Sequence, residues 1–109
     1  MATKTAGPCV ETTVRCIEAG ERCAVECGTS GNAEREKCAA LAHDCAGIAS
    51  LSLTLMSRGS RYADAICAVH AHACKACAEM CAKFPQYACC VECMNACRAC
   101  AKQCRARNA

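Results

Sequence analysis

Residues 90–104 read Cys90-Val91-Glu92-Cys93-Met94-Asn95-Ala96-Cys97-Arg98-Ala99-Cys100-Ala101-Lys102-Gln103-Cys104. The cysteines follow steps of three, four, three and four, which keep side chains on one stripe of a helix packed in a bundle. Every position of that stripe is cysteine, while Glu92, Arg98 and Lys102 fall between them and suit solvent. The segment therefore reads as an amphipathic helix whose buried face is sulfur.

Outward from it the pattern repeats. Cys67, His70, Cys74, Cys77 and Cys81, then Phe84, form a second seam, with one imidazole and one ring in place of sulfur. Cys9, Thr13, Cys16, Gly20, Cys23 and Cys27 form a third, at steps of four, three, four, three and four. Between them lies a poorer stretch, with Cys38 and Cys45 one heptad apart and Leu41, Ile48, Ser52 and Leu55 on the same or an adjoining face. It reads as the structural wall.

Turn and cap residues separate these seams. Pro8 suits the first turn of a helix reaching about Cys27, and Gly28, Thr29, Ser30, Gly31 and Asn32 break it. Asn32 or Ser30 can cap a second helix that carries Glu34 and Glu36 in its first turn, at the positive end of the helix dipole, and ends near Met56. Ser57, Arg58, Gly59 and Ser60 break that helix, and a third runs from about Arg61 to Lys83, stopped by Phe84-Pro85. A fourth runs from about Gln86 to Arg105. The spacing predicts an all-α fold, an antiparallel up-down-up-down four-helix bundle with a cysteine-lined core, filling one domain from residue 1 to 109. Antiparallel neighbours place Cys27, Cys38, Cys81 and Cys90 at one end of the bundle, and Cys9, Met56, Cys67 and Cys104 at the sulfur-poorer other end.

Composition narrows the chemistry. The chain has 16 cysteines among 109 residues but only three aromatic residues, Tyr62, Phe84 and Tyr87, so sulfur and alanine must fill the core. A net charge of +3, spread along the chain, excludes the basic stripe of a nucleic-acid binder. Met1 to Gly7 holds no apolar run of secretory length, and charged residues interrupt every apolar stretch. The expectation is a cytoplasmic protein without a membrane span, in a compartment that keeps thiols reduced.

A single buried cysteine is ordinary packing. Three seams of it are not, because Leu, Ile or Val there would bury more area. Disulfide scaffolds staple loops of secreted domains rather than lining helices, and the Cys-Pro ending of ferredoxin cluster motifs is missing. Zinc fits Cys23, Cys27, Cys38 and Cys45, yet four thiolates around a divalent ion leave a net negative charge that is costly to repeat in a dry core. A soft monovalent ion bridging two or three thiolates balances charge at about one metal per sulfur, which favours multiple Cu(I) ions per chain. No nucleophile and base are arranged for catalysis, so an enzyme is not expected.

The sequence also resembles the bacterial four-helix bundle copper storage proteins, their cytosolic branch in particular, over essentially its whole length. The most specific part is Cys67, Cys74, Cys77 and Cys81 followed by the quoted repeat, and Cys9, Cys16, Cys23, Cys27, Cys38 and Cys45 match the family's first-half core cysteines. The resemblance implies a bundle that exists without metal, loads many Cu(I) ions internally and assembles as a homotetramer. Thr13, Gly20, Ala49 and His70 stand where cytosolic relatives commonly carry cysteine, which implies a lower capacity. Phe84-Pro85-Gln86-Tyr87 replaces the histidine-rich residues that some relatives carry between the last two helices.

The expected metal ligands are thus Cys9, Cys16, Cys23, Cys27, Cys38, Cys45, Cys67, His70, Cys74, Cys77, Cys81, Cys90, Cys93, Cys97, Cys100 and Cys104. Cys89, one residue off the stripe, and Met56, a thioether at the sulfur-poor end, are further candidates. His43 and His72 fall off the stripes and read as surface residues. Copper ions are the expected ligand, and a copper chaperone or exporter the partner that a store requires. A zinc or general thiol-metal buffer and a redox-responsive protein are the competing readings.

Overall fold

The computed structural model describes the backbone of residues 3–108 and the side chains of residues 9–107. Four helices follow in order: α1 (Thr3–Gly28), α2 (Ala33–Ser57), α3 (Ala63–Cys81) and α4 (Ala88–Asn108). Each packs on its neighbours in sequence and α4 returns to α1, closing an up-down-up-down bundle 46 Å long with a cross-section of 18 × 17 Å.

The helix ends have identifiable causes. The Asn32 Oδ1 accepts hydrogen bonds from the backbone N–H of Glu34 at 3.0 Å and of Arg35 at 3.1 Å, so Asn32, not Ser30, caps α2. Ser30 instead closes the end of α1, its hydroxyl donating to the Cys27 carbonyl at 2.7 Å. Gly31 (φ 74°) and Gly59 (φ 64°) occupy the left-handed region that the two turns need.

Several helix boundaries differ from the sequence reading. Helix α1 starts at Thr3, upstream of Pro8. Proline at that place removes only one bond, to a carbonyl in the terminal turn, and its fixed φ is already helical. Helix α3 ends at Cys81 and α4 starts at Ala88, because Phe84 and Tyr87 are taken into a turn in which Phe84 N–H donates to Cys81 O and Tyr87 N–H to Phe84 O. At its far end α4 continues past Arg105 to Asn108.

The core is made of small side chains. No cysteine is more than 4% exposed, and Ala42, Ala46 and Ala49 seal the α2 side. Because these residues are small, helices approach closely. A Cβ on Gly20 would meet the Ala42 carbonyl oxygen at 3.1 Å and the Ala46 Cβ at 3.2 Å. Gly20 therefore serves the α1–α2 contact, beyond marking a missing sulfur.

Helix α2 adds detail to two expectations. Ser52 is buried as anticipated, but Leu41, Ile48 and Leu55 are only half-buried, the inner positions going to alanine, and Leu51 is 49% exposed. By length and composition α2 is also apolar enough to cross a membrane, since Asp44 alone interrupts it between Lys37 and Arg58. Its inner face nonetheless carries Cys38 and Cys45 into the shared core.

Candidate metal centre

All four helices contribute sulfur to one axis. At the sulfur-rich end, Cys27 Sγ lies 3.5 Å from Cys90 and 3.8 Å from Cys23, and Cys38 lies 3.5 Å from Cys81 and 3.9 Å from Cys23. Towards the middle, Cys77 and Cys93 are 3.7 Å apart. Next come Cys16, Cys45, Cys74 and Cys97, from Cys45–Cys74 at 3.6 Å to Cys16–Cys97 at 4.0 Å. These gaps far exceed a disulfide bond of about 2.05 Å, and all sixteen cysteines are free. Two sulfurs bound to one metal at about 2.3 Å each would sit at such separations.

Among the described residues, five groups have donor atoms within 4.8 Å of one another: Cys16/His70/Cys74/Cys100, Cys16/Cys45/Cys74/Cys97, Cys77/Cys93/Cys97, Cys23/Cys38/Cys81 and Cys23/Cys27/Cys89/Cys90. They are not separate pockets. Cys16 and Cys74 belong to two groups, as do Cys97 and Cys23, so the donors form runs that share sulfurs.

His70 joins this axis as its seam position predicts. Fully buried, it places ring nitrogens 3.7 Å from the thiols of Cys16, Cys100 and Cys104. Cys9, Cys67 and Cys104 are buried but enter none of the five groups. Cys9 points its thiol at the Gln103 carbonyl at 3.7 Å, and Cys67 meets the Ser52 hydroxyl at 3.5 Å. Thr13 faces Cys100 at 3.7 Å. Met56, 3% exposed, fills the same end. The sulfur-poor end is thus diluted by hydroxyls, as Thr13 and Ser52 foretell.

Cys89, a candidate one residue off the stripe, is only 4% exposed and lies with Cys23, Cys27 and Cys90. It stands in the first turn of α4. His43 and His72 are exposed as expected, and His43 lies 3.7 Å from Glu21 on the surface. Met80 and Met94 are half-buried against the core.

Crowded thiols cannot all ionise, so protons are distributed unevenly. Hydrogen bonds from Cys16, Cys74 and Cys77 pull the Cys45 thiol below its ordinary range; Cys23, Cys77 and Cys81 do the same for Cys93, and Cys104, Cys16 and Cys74 for Cys100. Their neighbours are pushed the other way: Cys16, through Cys100 and Cys45, to about 11, and Cys74, Cys81 and Cys97 further. Burial pushes Cys27 up, but hydrogen bonds with Cys90 and the Arg35 guanidinium outweigh it and lower the thiol. His70 follows the same logic: burial lowers its pKa, but Cys100, Cys16 and Cys45 overcome this and raise it to about 12.

Known proteins agree with this geometry. The family described as "Csp: Copper storage protein" is matched over residues 2–109. The Cu(I)-bound copper storage protein BsCsp3 superposes with a TM-score of 0.90 at 31% identity, over 96% of this chain and 99% of that one. Apo copper storage protein 3 from Bacillus subtilis superposes at 0.86 with 33% identity, over 93% and 96%. A protein of Nitrosospira multiformis does so at 0.85 with 30% identity, over 97% and 96%. No curated protein sequence matches.

Proposed function

This chain belongs to the copper storage protein family, and from that premise we propose that its core holds many Cu(I) ions on bridging thiolates, as a sink or reserve and without catalysing a reaction. The observation that carries this reading is the sharing of sulfurs between neighbouring donor groups. Isolated four-thiolate sites would suit a divalent ion. Shared sulfurs mean bridging, and bridging thiolates with a monovalent soft ion keep a dry column of metal and sulfur near neutrality.

The ligands are Cys16, Cys23, Cys27, Cys38, Cys45, Cys74, Cys77, Cys81, Cys89, Cys90, Cys93, Cys97, Cys100 and His70, with Cys9, Cys67 and Cys104 extending the column at the sulfur-poor end and Met56 as a thioether there. Anaerobic titration of the reduced chain, followed by mass measurement, tests this. Storage requires about ten or more Cu(I) ions per chain, whereas saturation near four divalent ions would mark a zinc buffer. Thiol counting that finds most cysteines paired in reduced protein would favour a redox role.

The same reading puts the protein in a thiol-reducing compartment, the cytoplasm, with a copper chaperone or exporter to load and unload it. We further infer a homotetramer. On helix α2, Leu51 is 49% exposed beside half-buried Leu41, Ile48 and Leu55, an apolar patch suited to another copy. Light scattering on the eluted protein measures the assembly, and Leu51→Glu should dissociate it.

A further inference from the structure

The sulfur-rich end is closed by side chains that are neither sulfur nor alanine. Arg35, in the first turn of α2, holds its guanidinium carbon 3.7 Å from the centroid of the Tyr87 ring, and Tyr87 leans on Phe84 with centroids 6.3 Å apart. The guanidinium hydrogen-bonds the Cys27 thiol and acts electrostatically on that of Cys89, both members of the outermost donor group with Cys23 and Cys90. Its Nε is buried and has no hydrogen-bond partner among the described residues. At the opposite end the corresponding cation is engaged: Arg107 Nε donates to Asp64 at 3.0 Å. At the sulfur-rich end the Arg35 guanidinium thus stands beside thiols with its Nε–H left over.

Copper in a thiol-rich compartment travels bound. Cu(I) held by two thiolates carries a net negative charge, and a planar guanidinium recognises an anion by charge and by directed N–H donors. We propose that Arg35 makes the sulfur-rich end a docking site for anionic thiolate complexes of Cu(I), holding the complex while Cys27 and Cys90 replace the carrier's thiolates. The proposal rests on the storage reading and specifies the form in which copper arrives.

The exchange balances without redox chemistry. A bond from copper to one carrier sulfur breaks as a bond to Cys27 Sγ forms, and the displaced carrier thiolate takes up the proton that the Cys27 thiol gives up. Copper remains Cu(I) throughout. Cys90, 3.5 Å from Cys27, repeats the exchange for the second carrier sulfur. Cys23, within 3.8 Å of Cys27 and 3.9 Å of Cys38, then connects the ion to the interior.

The test compares two copper donors of opposite charge on the reduced, metal-free chain, reading initial uptake rates from the ultraviolet absorbance of Cu(I) thiolates. With Cu(I) held by glutathione, Arg35→Gln should slow uptake by about tenfold, and Arg35→Lys by much less. With the cationic acetonitrile complex of Cu(I), Arg35→Gln should match the unsubstituted chain within about twofold, because no anion is being recruited. Glu26 sets an opposing charge near Cys89, so Glu26→Gln should quicken uptake from glutathione.

Equal rates from glutathione, or the same slowing with both donors, would overturn the proposal, the latter by reducing Arg35 to packing. A full final load in a slowed Arg35→Gln variant keeps the storage reading intact, whereas an unsubstituted chain that loads from neither donor overturns both. Should Arg35→Gln lose helicity, salt decides on the unsubstituted chain: steered uptake from glutathione falls as salt is added, and a salt-independent rate overturns the proposal.

Discussion

Replacing His70 by alanine separates the ring's packing from its coordination. The side chain is fully buried, and its ring nitrogens stand 3.7 Å from Cys16, Cys100 and Cys104. The surrounding residues are too small and too well placed to collapse into the space left behind. Removing a large buried side chain costs about 2–5 kcal/mol, and the lost hydrogen bonds to charged partners place this case at roughly 3 kcal/mol or above. With a urea dependence of about 1–3 kcal/mol per molar, the unfolding midpoint of the metal-free protein should fall by roughly 1–3 M, followed by circular dichroism.

Copper capacity should change far less. Only the group of Cys16, His70, Cys74 and Cys100 loses a donor, and Cys16 and Cys74 keep their second group. The load should drop by about one or two ions, and His70→Cys, which restores a soft donor, should recover it. An unchanged load in His70→Ala would show that the ring does not coordinate. A loss of most of the copper would sink the idea of a modular column, in which each group fills largely on its own.

Further outcomes follow from the same geometry. Cys74, Cys81 and Cys97 are held protonated at neutral pH by their thiol neighbours, so copper must displace protons. Apparent affinity measured by chelator competition should therefore climb from pH 6 to pH 8, and a flat profile would contradict the proton distribution. Cys97→Ser, at a sulfur shared by two groups, should lower the copper load more than Cys9→Ser, at a sulfur in none, as counted by mass measurement. Asn32→Ala removes the acceptor for two backbone N–H groups and should destabilise the metal-free bundle by about 1 kcal/mol in chemical unfolding, leaving the load unchanged.

The seams of α1, α3 and α4 were legible because a three-four rhythm of a single residue type survives any ambiguity about where helices begin. His70 was legible for the same reason, since it keeps step. Helix α2 was not, because leucine, isoleucine and alanine surround it and no rhythm selects an inner face; the burial of Ala42 and Ala46 is decided by the partner helices. Cys89 was legible only as a candidate off the stripe, because its place beside Cys23, Cys27 and Cys90 depends on how the helix ends come together. Arg35 escaped for a plainer reason: a charged residue in a first turn looks like any solvated one until the Tyr87 ring is placed beneath it.

The uniformly small inner residues have a consequence for how such a protein can diversify. Gly20, Ala49, Ser52 and Thr13 occupy the same buried ring of positions as the cysteines and leave the backbone path undisturbed. Exchanging sulfur for a hydroxyl or a methyl alters little volume, so it escapes the large penalty attached to emptying a leucine site. Gly20 is the exception, because α2 leaves its neighbourhood no room to refill. Elsewhere along the axis, lineages can raise or lower their metal quota one substitution at a time.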